Sequence, residues 1–209
     1  QGKTLTASGR TDAGVHAAGQ VLHFDLDWRH STETLLTALN AFLPDDVAAL
    51  GVEEVDESFH ARYSALRRCY RYQVYVNKHR NPLLDRFAWR VTLEPDMALM
   101  NAEAADLLGE HDFVAFGKAI NQKSTTIRRI YKAEWAAWEH GLAFTIVGNA
   151  FLTHMVRRIV WALMQVGSGK LPSGSVKRGL ETGYAGTVSL APARGLTLMR
   201  VDYDEENEC

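Results

Sequence analysis

Residues 68–76 alternate with a period of two, placing Tyr70, Tyr72, Val74 and Val76 on one face and Arg71, Gln73 and Tyr75 on the other. Such a segment is a strand with an apolar face, so the chain must supply both a pairing partner and a layer that covers it. Residues 131–138 and 142–147, split by His140-Gly141, read as a long hairpin. A covering layer is at hand in residues 151–166, where Phe151, Met155, Ile159, Ala162 and Val166 form one helical stripe that Gly167-Ser168-Gly169 ends. The opposite stripe carries His154, Arg158, Trp161 and Gln165, with Arg157 between the two. Residues 96–108 have a second amphipathic spacing, and Ser31 is a plausible N-cap for a helix through Phe42. Residues 3–7, 20–25, 47–55 and 196–203 read as strands. Helices and strands alternate without the regular rhythm of a parallel sheet, so the class is mixed α+β.

With 209 residues, at about 150 per domain, the chain makes one large domain or two small halves sharing a core. The internal boundary is expected near residues 58–64, where an acidic run gives way to a basic one, separating a half over 1–58 from a half over 59–209. No apolar run approaches the roughly 20 residues of a membrane-spanning helix. Cys69 and Cys209 form neither a CxxC nor a metal spacing, which makes the reducing cytoplasm the default location.

The net charge of −2 conceals segregation. Residues 60–90 hold eight basic side chains, Arg62, Arg67, Arg68, Arg71, Lys78, Arg80, Arg86 and Arg90, against Asp85 alone. Residues 118–132 hold five basic side chains and no acid, and residues 141–180 contain no acid at all. Clustered cations suit a phosphate-rich partner, although a solvated charged surface gives the same composition.

Ser8-Gly9-Arg10-Thr11-Asp12-Ala13-Gly14-Val15-His16 packs glycines, hydroxyls and two charges into one loop. By composition alone it could be a turn in which Asp12 caps an amide and Gly14 supplies a positive φ. It is no phosphate-cradling P-loop, because Val15-His16 stand where Lys-Ser/Thr would be. His16, His60, His111 and His154 show no HExxH or paired short spacing and read as structural rather than metal-binding.

The loop, together with Phe59-His60-Ala61-Arg62, Tyr70-Arg71-Tyr72, His111-Asp112-Phe113, the Gly148–Arg157 stretch and Ala191-Pro192-Ala193-Arg194-Gly195-Leu196, resembles in order the signature segments of the TruA family of tRNA pseudouridine synthases. The resemblance implies two related halves joined through a largely antiparallel sheet, with helices on one face and an RNA-binding cleft on the other. It implies isomerisation of uridine to pseudouridine in the anticodon stem-loop, at tRNA positions 38–40, by a cytoplasmic homodimer without metal or organic cofactor. Asp12 is then the catalytic carboxylate, Arg157 its cationic partner, and Tyr70 the residue that stacks on the target base. Arg10 accompanies nucleotide extrusion, and Thr11 and His16 of the same loop are expected to bind the substrate. Lys123, Arg128, Arg129 and Arg158 are expected to hold RNA phosphates. Family members carry a further strand and helix before the loop, which this sequence lacks, and Trp161 replaces a family glycine. A non-catalytic RNA-binding module retaining the basic cleft is the alternative; a carboxylate hydrolase would want a second acid, which the loop does not contain.

Overall fold

A computed structural model describes residues 4–119, 124–186 and 189–204 of the chain. In chain order the elements are β1 (Thr6–Ala7), β2 (His16–Ala17), β3 (Leu22–His23), α1 (Thr32–Phe42), β4 (Arg67–Val76), β5 (Trp89–Val91), α2 (Met97–Ala105), β6 (Gly109–Asp112), β7 (Ile127–Trp138), β8 (Gly141–Gly148), α3 (Met155–Gly167), α4 (Ser175–Thr182) and β9 (Leu196–Asp202). One-turn 3₁₀ helices occupy Leu84–Arg86 and Ala193–Gly195.

The chain divides into two compact units, Gln1–Ser8 with Val21–Ser64, and Gly9–Gln20 with Ala65–Cys209. The smaller unit holds the antiparallel pair β1–β3 and α1, whose N-cap Ser31 accepts from the Thr34 amide as its sequence position foretold. Residues 47–55, expected as a strand, form none. They have no ladder partner; instead the Asn40 side chain ties both backbone groups of Ala49, and Val47, Leu50 and Val55 lie exposed.

The larger unit is built on a sheet in the order β2-β9-β4-β8-β7-β6, with β5 beside β4. β4 runs antiparallel to β8 and β9, and β7 to β6 and β8; β2–β9 and β4–β5 are parallel. The architecture is therefore mixed α and β around a largely antiparallel sheet. Tyr72 and Val74 of β4, Phe144 and Ile146 of β8 and Trp135 of β7 pack with Met100 of α2 and Ile159 and Leu163 of α3 in one buried cluster. Area removed from water by these side chains is the main stabilising contribution. Tyr75, expected on the polar face of β4, is buried there because its hydroxyl finds Asp85 Oδ1 at 2.7 Å. Trp161 is half-buried and packs against the edge of the core, which is how α3 accommodates an indole at that position.

Two outcomes bear on the site. The helix expected from Phe151 begins at Met155, because His154 has φ +66°, a left-handed conformation that cannot continue a right-handed helix from its N-terminal side. Residues 9–20, which carry Asp12, cluster with the larger unit. β2 pairs with β9, and the amides of Ala18 and Gly19 donate to the Leu198 carbonyl.

Candidate active site

The loop that leads into β2 is clamped at its base by Gln20, whose side-chain amide donates to the Gly9 carbonyl at 3.0 Å. Inside it the Val15 amide donates to the Asp12 carbonyl at 3.0 Å, closing a four-residue turn whose third position is Gly14 at φ +81°. That is the position where a type II turn demands a positive φ, and glycine meets it without a Cβ penalty. Asp12 thus opens a tight turn with its backbone fixed.

Its carboxylate meets the first turn of α3. Arg157 donates from an Nη to Asp12 Oδ2 at 2.6 Å and from Nε to the Ala191 carbonyl at 2.8 Å. The Ala191 amide in turn donates to the Arg157 carbonyl at 3.2 Å, so the segment before the second 3₁₀ turn holds the guanidinium in place. The arginine side chain is 13% exposed and the aspartate side chain 27%, which leaves the acid reachable while its partner is largely covered.

Three sequence segments converge here, Asp12 lying 145 residues from Arg157 and Arg157 34 residues from Ala191. Tyr70 comes from β4 and packs edge-on against Phe151, ring centroids 5.2 Å apart. Its hydroxyl pKa is pushed up to about 12, first by burial and further by the Asp12 carboxylate, with Arg68 opposing. Tyr72, two residues on, is fully buried and donates to the Pro192 carbonyl at 2.8 Å, a structural role.

His154 approaches Asp12 as well, its Nε2 lying 3.5 Å from Oδ1. In the sequence it stands as an isolated histidine. The available signal was its place three residues before Arg157, one helical turn away, and its contact depends on the left-handed backbone at residue 154.

The remaining expected site residues divide. Thr11 is half-buried and Arg10 exposed in the loop itself. His16 turns away from the carboxylate, with Nε2 2.8 Å from the Arg86 carbonyl oxygen and its ring 4.9 Å from Phe87. Arg158 follows Arg157 in α3, and its Nε is buried without a hydrogen-bond partner among the described residues. Arg128 and Arg129 lie in β7 beside Asn149, whose side chain accepts from the Arg129 amide. Arg129 also pairs with exposed Glu110 at 3.3 Å, a contact worth at most about 1 kcal/mol and readily exchanged. Lys123 lies outside the described residues. Among the described residues no group of three His, Cys, Asp or Glu side chains could hold a metal, and no helix is long and apolar enough to cross a membrane.

The family described as tRNA pseudouridine synthase matches residues 3–64 and 104–204. The protein named tRNA pseudouridine synthase A of Bacillus pumilus (strain SAFR-032) is 42% identical over 201 residues, covering 96% of this chain and 81% of its own length. The one from Bacillus subtilis (strain 168) is 40% identical over the same shares. That of Roseiflexus sp. (strain RS-1) is 41% identical over 208 residues, 98% of this chain and 77% of its own.

Proposed function

The chain belongs to the tRNA pseudouridine synthase family, enzymes that isomerise uridine to pseudouridine, and on that premise we propose that it modifies uridines 38–40 in the anticodon stem-loop of tRNA with Asp12 as the catalytic carboxylate. The observation that carries the assignment is the Asp12 carboxylate, with one oxygen held by Arg157 and the side chain still open to a ligand.

The reaction breaks the bond from uracil N1 to the ribose anomeric carbon, turns the base, and joins uracil C5 to the same carbon. N1 ends protonated and the C5 hydrogen leaves, so no atom is gained or lost overall. Asp12 serves either by attacking the anomeric carbon or by taking the ribose 2′ proton to give a glycal. Both need an ionised carboxylate with one oxygen free, and the Arg157 contact takes up only Oδ2. Tyr70 stacks on the turned base and assists loss of the C5 proton. Arg10 supports extrusion of the nucleotide, which a stacked stem otherwise hides. Lys123, Arg128, Arg129 and Arg158 hold phosphates, so RNA shape guides binding. The working form is a cytoplasmic homodimer in which one tRNA touches both subunits.

Tritium release from tRNA labelled at uridine C5 tests this directly. Release at stoichiometric level, with the product mapped to positions 38–40, is the expected result; release mapped elsewhere refutes the stem-loop assignment, and no release refutes the activity.

A further inference from the structure

Beside the Asp12 turn lies a cavity of about 360 Å³ lined by Arg80, Pro82, Asp85, Arg86, Arg90 and Arg194. Four guanidinium groups surround one carboxylate, and that carboxylate is already engaged. The Tyr75 hydroxyl donates to Asp85 Oδ1 at 2.7 Å and Arg80 Nε to Oδ2 at 3.0 Å, contacts that hold the Asp85 carboxyl below its ordinary range. Three positive charges therefore remain uncompensated by the lining. Arg90 donates to the Lys78 carbonyl at 3.0 Å, and Arg194 Nε lies 3.4 Å from the Ala88 carbonyl oxygen; each anchors one edge of a guanidinium and leaves further N–H groups for a ligand. Planar guanidinium forks converging on a concave surface match the oxygens of anionic ligands such as phosphate, and several unpaired cations suit the repeated charges of an RNA backbone.

The cavity walls touch the catalytic turn on two sides. His16 bonds the Arg86 carbonyl and packs on Phe87, and a Cβ built on Gly14 would lie 3.5 Å from the Cβ of Ala193, the neighbour of Arg194. Phe87 is 54% exposed, so an aromatic face stands next to the cations. Cations flanking an open ring are the combination that binds an RNA strand through its backbone and a stacked base.

We propose that Arg80, Arg86, Arg90 and Arg194 form a cradle for the RNA backbone phosphates flanking the nucleotide delivered to Asp12, with Phe87 as its stacking surface. The cradle rests on the tRNA-modifying reading above, but it involves none of the phosphate-binding residues assigned there, so the two can fail separately.

The test is tRNA binding as a function of KCl for the wild type, for Arg86→Gln/Arg194→Gln, and for Lys177→Gln/Arg178→Gln in α4, which removes the same charge elsewhere. The cradle variant is expected to bind at least about a hundredfold more weakly, as for two lost charged hydrogen bonds, and to lower the salt slope by about two. The α4 variant should keep both values. An equal loss in the two variants, or none in the cradle variant, overturns the proposal. Arg86→Gln alone, which leaves the backbone carbonyl bonded by His16 intact, should lower the slope by about one and serves if the double variant is unstable. If inorganic phosphate raises the wild-type Tm but not the variant's while tRNA affinity is equal in both, the cavity is a free-phosphate site and the RNA cradle is refuted. A wild type that binds tRNA with the expected cradle dependence yet releases no tritium refutes the activity and upholds the cradle.

Discussion

Asp12–Arg157 and Asp202–Arg200 join the same two groups with opposite burial. Asp202 is 1% exposed and turns both oxygens to Arg200, at 2.5 and 3.5 Å, while the arginine is 37% exposed. At Asp12 the arginine is the covered partner, and among the described residues the second carboxylate oxygen has only His154 at 3.5 Å, beyond good hydrogen-bond distance. A buried acid with its lone pairs taken can only anchor structure. Glu103 is a second such acid, 4% exposed and accepting from the amides of Gly174 and Val176 at the start of α4. Of these three acids, the least satisfied is Asp12, the one proposed above to react.

The contrast is broken most directly by removing each acid. Asp12→Ala should lower pseudouridine formation by at least about a thousandfold, the usual loss for a group that forms or breaks the reacting bond, with tRNA affinity nearly unchanged and a Tm loss smaller than that of Asp202→Ala, because Arg157 keeps its bond to the Ala191 carbonyl. Asp202→Ala should do the reverse: a cost of about 2 kcal/mol, or roughly 4–8 °C in Tm, with the activity per folded molecule retained. Tritium release measured well below both melting temperatures, beside thermal melts, separates the two; equal activity losses would show that burial does not distinguish these acids.

Arg157 sharpens the comparison, since it is bonded on both sides. Arg157→Ala should cut the rate about a hundredfold and also destabilise by about 2 kcal/mol, because Asp12 loses its cation and the Ala191 carbonyl its donor. Arg157→Lys keeps the charge but lacks the fork that reaches both acceptors, so single-turnover rates should fall between wild type and Ala. A rate loss without any change in Tm would show that the pair is purely catalytic.

The sequence announced the long elements better than the short ones, for a physical reason. β4, β7, β8 and the body of α3 each repeat their period often enough to be read, whereas β2, β5 and β6 span two to four residues and exist only through partners elsewhere in the chain. Residues 47–55 show the converse: apolar alternation without a neighbour makes no strand. The Asp12–Arg157 pairing was legible through the resemblance, not through spacing, because 145 residues separate the two. His154 was not legible, because its reach to Asp12 depends on one backbone angle. The turn at Gly14 was readable, since only a few residues tolerate that φ.

Gly14→Ala probes that turn with a smaller effect. The new Cβ would meet only Ala193 at 3.5 Å, an ordinary contact, so the cost is the positive φ itself, about 1 kcal/mol or roughly 2–4 °C. Activity should drop about tenfold as Asp12 shifts from Arg157, in line with the sensitivity of reactions to sub-ångström misplacement. Gly9→Ala, with nothing within 4 Å and no positive φ, should change neither. If both variants behave alike, the turn does not set the carboxylate.

The smallest effect concerns Tyr70 and appears only in alkali. Its pKa is about 12 in the fold, against about 10 for an exposed tyrosine. Above pH 10 the unfolded chain releases this proton while the folded chain keeps it, so the unfolded state binds fewer protons and stability falls as pH rises from about 10 to 12. Below pH 10 the residue contributes no pH dependence. Tyr70→Phe removes the titrating group and should flatten that part of the Tm–pH curve while leaving its shape between pH 6 and 9 unchanged. Tyr72→Phe should flatten it too, since burial raises that phenol as well, but at the added cost of the bond to Pro192 at all pH values. A Tyr70→Phe curve that matches the wild type throughout would show that the phenol is solvated, removing Tyr70 from the covered side of the Asp12 group.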